Sequence, residues 1–282
     1  MTASQLVWQV REGVATRRPD RLAVEEPLEI RASVTLAGAE QPKVETLTVT
    51  MRTPGHDFEL VAGWLNSEGV VVAPDDLRGI RYCTDPGVDG EQRYNVVTAD
   101  LARSAFERIV PRRAMTTSAC GVCGSASIEA LCGGGHPRLE DGPVVSWQLV
   151  ASLPARLRQA QRQFASTGGI HGAALVASSG EVLVVREDIG RHNAVDKAVG
   201  WAMLGGRLPL SGAILVVSGR SSFEIVQKAL RAGIGIVAGV SAASSLAVRL
   251  SEEAGLTLVG WLRDSRCTIY AHPERVELSP AR

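Results

Sequence analysis

Ala213-Ile214-Leu215-Val216-Val217-Ser218-Gly219-Arg220-Ser221-Ser222 is the stretch on which the fold turns. Its first five residues are all apolar, so a strand here has no polar face for water and is predicted to lie buried on both sides of its sheet. Ser221 or Ser222 then caps a helix whose inner face is Phe223, Val226 and Leu230, closed by Gly233 at its C′ position. A doubly buried strand running straight into a capped helix is the βαβ unit of an open sheet with helices on both faces.

The same rhythm extends both ways. Downstream, 234–240 reads as a strand, Ser241 caps a helix to Ala254, Gly255 closes it, and 256–262 is a last long strand. Upstream, a helix of 192–204 ends at Gly205-Gly206. Before it, 171–177 and 181–187 form a hairpin about Ser178-Ser179-Gly180. Ser146 caps a helix through Phe164, with Leu149, Leu153, Leu157 and Ala160 at helical spacing, Pro154 as its kink and Thr167-Gly168-Gly169 as its stop. The prediction is α/β: a three-layer α/β/α domain over 146–282.

Residues 1–113 read as a smaller N-terminal α+β domain. Strands are expected at 21–30, at an edge because of Pro27, and at 45–52, 79–84 and 92–98, with a helix over 56–66. Between the two domains, 114–145 is rich in glycine and small residues and is expected to be a mobile loop segment. It carries Thr117-Ser118-Ala119-Cys120-Gly121-Val122-Cys123-Gly124, two thiols displayed among small neighbours rather than packed among apolar ones.

Composition narrows the chemistry. The 282 residues carry 30 Lys and Arg against 30 Asp and Glu, so bulk charge gives no reason to bind DNA or RNA. The start has no basic region ahead of an apolar run, and no uncharged stretch is long enough to span a bilayer, so a cytoplasmic protein without a membrane partner is expected. Five cysteines are an odd number in a chain that needs no staples, which favours reactive thiols or a metal over a disulfide framework. Cys83 and Cys267 are expected to be buried and inert.

Cys120 and Cys123 admit three readings. A zinc site needs two more ligands, and no second CxxC or HxxxH supplies them. A dithiol redox centre would normally open a helix after a strand. A sulfur carrier needs an accessible thiolate on a mobile segment, which the flanking glycines suit best. Arg103, Arg108, Arg112 and Arg113, just ahead of the thiols, form either a solvated face or a local positive field that lowers thiol pKa.

Ligands of open α/β sheets gather at the carboxyl ends of the strands. Three strand-to-helix junctions here are small, polar and partly basic: Arg186 to Asn193, Ser218 to Ser222, and Ser241 to Ser245. With Arg186, Arg191 and Arg220 they describe an anion pocket, most simply for phosphates. Arg263 and Arg266 beyond the last strand could clamp a diphosphate or lie exposed. Glu187 and Asp188 are either an ion-pair network or catalytic acids. His171 is either a hydrogen-bonded core histidine or part of the site. Zinc deaminases share this order of elements, but they place H-x-E and P-C-x-x-C at helix starts. Arg191-His192-Asn193 and Ser218-Gly219-Arg220 stand there instead, and the only H-x-E, His272-Pro273-Glu274, lies after the last strand.

Several stretches together resemble the FdhD/NarQ family of formate dehydrogenase accessory sulfurtransferases. They are Arg52-Thr53-Pro54-Gly55, the Cys120–Cys123 stretch, Thr167-Gly168-Gly169-Ile170-His171, Arg186 through Lys197, Ser218-Gly219-Arg220, and Gly255 to Arg263 with Tyr270 and His272-Pro273-Glu274-Arg275. Ala119 replaces a frequent Ser and Trp261 a frequent Phe. The resemblance implies a cytidine-deaminase-like domain without the deaminase zinc, usually as a homodimer. It implies sulfur accepted from a cysteine desulfurase as a persulfide on Cys120, with Cys123 assisting. The sulfur would pass to the molybdenum cofactor, bis(molybdopterin guanine dinucleotide), which is handed to formate dehydrogenase. Trp261, Leu262, Arg263, Asp264, Ser265 and Arg266 match the family's cofactor-binding segment. The phosphates and guanine ends of the cargo would then be the ligand of His171, Arg191, His192, Ser218, Gly219, Arg220 and Ser241. The alternative is a cofactor-binding chaperone without persulfide chemistry.

Overall fold

The computed structural model describes residues 2–83, 92–109, 138–139, 142–263 and 266–278. It begins with a two-stranded ribbon, β1 (Thr2–Arg11) and β2 (Val14–Ala23), turned at Glu12-Gly13 and almost wholly exposed. Next come β3 (Glu26–Val34), β4 (Lys43–Arg52), α1 (Asp57–Ser67), β5 (Leu77–Tyr82), β6 (Val96–Leu101) and the short α2 (Arg103–Glu107). Their four strands form one sheet in the order β4-β3-β6-β5, with α1 on a core of Leu28, Ile30, Leu60, Leu65, Val97 and Leu101. β3 is therefore central, not the edge strand that Pro27 suggests. Pro27 faces Met51 of β4, but pairing with β6 starts only at Glu29, so its missing N–H breaks no ladder bond on that side.

The second part runs β7 (Val145–Ser146), α3 (Trp147–Ala160), α4 (Arg162–Thr167), β8 (His171–Ala177), β9 (Val182–Asp188), α5 (Arg191–Leu204), β10 (Ala213–Val217), α6 (Phe223–Arg231), β11 (Ile236–Gly239), α7 (Ser245–Ala254), β12 (Thr257–Arg263), β13 (Arg266–Ala271) and β14 (Val276–Glu277). Six strands pair in the order β13-β12-β11-β10-β8-β9, and β10 is buried along its whole length. Leu175, Leu215, Val217, Val237 and Leu258 pack towards α5, α6 and α7, while Val176, Ile214, Val216, Ala238 and Val259 pack towards α3. Helices thus cover both faces, as the apolar run at 213–217 requires.

Local differences have local causes. Ser146 does cap α3, accepting the Leu149 N–H, and Pro154 lies inside the helix, but the helix ends at Gln161 rather than running on through Phe164. α7 is capped by Ser244, whose hydroxyl accepts the Ala247 N–H, not by Ser241. Val145, at the end of the segment expected to be mobile, is buried and paired with Val276.

The two sheets are joined by α1 crossing α5 at glycines. A Cβ on Gly63 would lie 1.9 Å from the Asp196 carbonyl oxygen, and one on Gly200 would lie 1.8 Å from that of Glu59. The helices therefore touch backbone to backbone.

Candidate functional site

Below that crossing, Arg52-Thr53 meets the 188–197 stretch. Thr53 donates its N–H to Asp188 Oδ2, accepts the Ile189 N–H on its hydroxyl, and accepts Lys197 Nζ on its carbonyl. Lys197 Nζ also lies 2.6 Å from Asp188 Oδ2, and both side chains are buried. Asn193 donates to the Met51 carbonyl and to Asp188. Arg52 forks onto Asp57, Lys228 onto Asp196, and Ser67 donates to Asp196. Asp188 is thus a structural anion. Glu187 accepts the N–H groups of Gln163 and Phe164 and so anchors the start of α4. Arg186, expected in an anion pocket, instead bonds Glu59 of α1, at 2.7 Å through Nη2. Arg103 pairs with Glu107 on a solvated face and Arg108 with the buried Asp76, so the described arginines of that run have carboxylate partners of their own. The His272-Pro273-Glu274-Arg275 motif likewise holds the fold: His272 meets Glu274 and the Glu252 carbonyl, and Arg275 donates to Gly255.

The three junctions converge on one edge of the sheet. β10, β11 and β12 are mutually parallel and β8 is antiparallel to both β9 and β10, so the carboxyl ends of β9 to β12 and the amino end of β8 share that edge. Loop 218–222 abuts loop 240–244 through Ser221 N–H to the Ala242 carbonyl and Ser244 N–H to the Ser221 carbonyl. Trp261 donates its N–H to the Ser241 carbonyl, and Arg263 Nε donates to Val240. Ser218 accepts the Gly172 N–H and lies 3.5 Å from His171 Nδ1. His171, Ser218, Gly219, Ser241, Trp261 and Arg263 therefore form one crest. Trp261 is half-exposed with φ of 52°, a strained conformation for a tryptophan, and the Arg263 guanidinium stands 5.5 Å from its ring centre. Leu262, by contrast, is buried in the sheet's α3 face and offers a ligand nothing but support.

Arg220, Arg263 and Arg266 are exposed, and among the described residues no carboxylate lies in ion-pair range of them or of Arg191. The helix starts are not equivalent. α6 has its own Glu224 in the first turn, and α7 has the Ser244 cap. α5 begins at Gly190, which has no side chain of its own, and the Asp188 carboxylate accepts the Gly190 N–H at 2.8 Å. Burial, and then the Arg191 cation, push the His171 imidazole below its ordinary range, which favours its neutral form. His192, pushed down to about 4 by burial and by Arg191, bonds Ser222 and lines a different, smaller cleft of about 270 Å³ with Thr50, Trp64, Asp196 and Lys228. It lines a different cleft from His171 and Ser218 but is tied to the crest loop through Ser222.

A larger cleft, about 580 Å³, opens beside the crest between α3, α4 and β8, lined among others by Gln161, Phe164, Gly168, Gly169, His171 and Ser218. Sequence reasoning misses Gln161, although it sits between two helical runs. Cys120, Cys123, Cys132, Asp264 and Ser265 lie outside the described residues. Cys83 and Cys267 are half-buried free thiols, and burial pushes the Cys267 thiol up, which makes it a poor nucleophile. No described helix is long and apolar enough to cross a membrane.

The model of the FdhD/NarQ family matches residues 24–277. The chain belongs to the FdhD/NarQ family. Among relatives, the sulfur carrier protein FdhD of Streptomyces avermitilis is 49% identical over 285 residues, covering 100% of this chain and 98% of its own. That of Mycolicibacterium paratuberculosis is also 49% identical, over 98% of this chain and 99% of its own. That of Sulfurisphaera tokodaii is 40% identical over 96% and 97%. A crystal structure from Desulfotalea psychrophila, provisionally described as a formate dehydrogenase accessory protein, shares the fold with a TM-score of 0.74 at 23% identity, over 98% of this chain and 99% of that one. The FdhD/NarQ match therefore spans both sheets and the crest.

Proposed function

We propose that this protein is a sulfurtransferase that serves formate dehydrogenase by sulfurating its molybdenum cofactor. The observation that carries the reading is the crest: arginines without a carboxylate partner among the described residues gathered on one sheet edge, in a chain whose relatives are named sulfur carriers. In this reading the cargo is bis(molybdopterin guanine dinucleotide). Its phosphates lie against Arg191, Arg220, Arg263 and Arg266, as anions do at helix starts and guanidinium forks. The sheet would have the cytidine-deaminase-like arrangement without the zinc, and two copies of the chain would form a homodimer.

Cys120 supplies the nucleophile. Its thiolate attacks the terminal sulfur of a desulfurase persulfide, the S–S bond breaks, the desulfurase thiolate leaves, and Cys120 carries the persulfide. Delivery as sulfide needs two electrons. The Cys123 thiolate provides them by attacking the inner sulfur of Cys120: hydrosulfide leaves towards the molybdenum, and a Cys120–Cys123 disulfide forms. A reducing pool then restores both thiols.

Intact mass after incubation with a cysteine desulfurase and cysteine tests this. The parent gains the mass of sulfur, Cys120→Ala does not, and Cys123→Ala gains it but releases none as sulfide. A full sulfur load on Cys120→Ala would overturn the assignment. No load on Cys123→Ala, which cannot discharge the persulfide, would leave the chaperone reading in its place.

A further inference from the structure

We propose that β1 is the contact by which two copies of the chain join: the free edge of β1 in one copy pairs with that of the other, antiparallel, about a two-fold axis at Leu6. This rests on the reading of the protein as a homodimer and names the surface that joins it. Neither sulfur transfer nor cargo binding at the crest gives the ribbon β1–β2 a task.

A two-stranded ribbon is marginal in water on its own and gains stability from a third strand or a packed apolar face. Among the described residues this one has no third strand. It meets the body through β2, at α4, and leaves Leu6, Trp8 and Val10 of β1 each more than half exposed. Side chains alternate along a strand, so these three share one face. Arg17 of β2, paired with Trp8, holds its guanidinium 5.6 Å from the indole ring centre. Tryptophan and arginine are the residues that most often anchor a protein interface.

The two edges of the ribbon differ. β2 carries Arg17, Arg18, Pro19, Asp20 and Arg21, the charges and the proline that keep an edge from pairing. β1 carries no charge from Thr2 to Val10 and no proline, so its edge is open to another strand. Charge also selects the partner. Identical strands bring identical charges, and like charges across a ladder are unfavourable, so a strand that pairs with itself does best without any. β1 meets that condition and β2 does not.

Geometry sets the register. Glu12 and Gly13 have φ of 49° and 81°, the left-handed pair of a two-residue hairpin turn. Arg11 and Val14 flank that turn and bond to each other, so Thr2, Ser4, Leu6, Trp8 and Val10 direct their N–H and C=O groups away from β2, to the free edge. The uncharged run 2–10 is centred on Leu6. An axis there pairs Thr2 with Val10, Ser4 with Trp8 and Leu6 with Leu6. It sets the bulky indole against a small serine and leaves Arg11 of each copy beyond the run. The product is a four-stranded sheet, β2-β1-β1-β2. Its outer edges are the guarded β2 strands, so the contact closes at two copies.

Analytical ultracentrifugation of the full chain tests the proposal, with Leu6→Lys and Leu6→Glu alongside. The parent is expected to sediment as a dimer. Each variant alone sets like charges against each other at the axis and should raise the dissociation constant at least about tenfold. An equimolar mixture of the two opposes a cation to an anion and should restore the dimer, which variants that failed to fold could not do. Leu6→Lys as dimeric as the parent would overturn the β1 contact, while the homodimer reading stands. A mixture that stays monomeric would overturn the axis at Leu6. A monomeric parent would overturn the contact and the homodimer reading together.

Discussion

The seam between the two sheets and the crest above it are both rich in charge and built in opposite ways. At the seam, Arg52, Asp57, Asp188, Lys197, Asp196 and Lys228 are buried and paired with one another. At the crest, Arg220, Arg263 and Arg266 stand in water without a carboxylate among the described residues. One motif, Arg186 through Lys197, feeds both: Glu187, Asp188, Asn193 and Lys197 hold the scaffold, and Arg191 alone turns to the crest. A long, specific motif is thus not a list of ligand contacts. Much of it fixes the position of the few groups that remain free.

Substitutions can break this contrast in order of severity. Gly200→Ala should cost about 5 kcal/mol, the exceptional end for a single change, because its methyl meets the Glu59 carbonyl backbone to backbone. Chemical denaturation checks this, and a variant as stable as the parent would show that the helices part easily. Lys197→Met should cost about 3 kcal/mol, since it leaves Asp188 buried without its cation, and adding Asp188→Asn should recover part of that loss. Arg220→Ala, its crest counterpart, should move stability by less than about 0.5 kcal/mol under the same assay.

A further effect is acid-dependent. Glu59 is pulled up by burial, but hydrogen bonds from Arg186 and His56 outweigh this and hold its carboxyl at about 2, below its ordinary 4.5. The unfolded chain therefore takes up this proton first as the pH falls. The contribution is complete above pH 4.5 and is lost towards pH 2, so the acid limb of the parent's stability curve should flatten in Glu59→Gln.

The main sheet is legible in the sequence because its strands are apolar on both faces and its helices end at glycines, both visible in one dimension. The convergence of the junctions follows from the βαβ order alone. The ribbon β1–β2 is not legible, although Leu6, Trp8 and Val10 alternate, because alternation without burial looks like coil. β13 escapes notice because its exposed alternate residues, Arg266 and Thr268, mute the pattern. At the site, composition finds the basic junctions. It does not find the partners of Arg186, Glu187 and Asp188, because they lie on α1, at the start of α4 and around Thr53, separations that no local window spans. Gln161 carries no compositional mark; only its unpartnered amide distinguishes it.

The glycine crossing also constrains how the chain can be made. Ser67 on α1 and Asp196 on α5 are partners 129 residues apart. During synthesis the first helix is complete long before its counterpart exists, with its bare glycine flank waiting for a mate. A truncated product that stops before α5 would present that flank to whatever it meets. We expect neither half of this molecule to be usable as a separate building block, so a hybrid joining the front of one relative to the back of another must match at this crossing first.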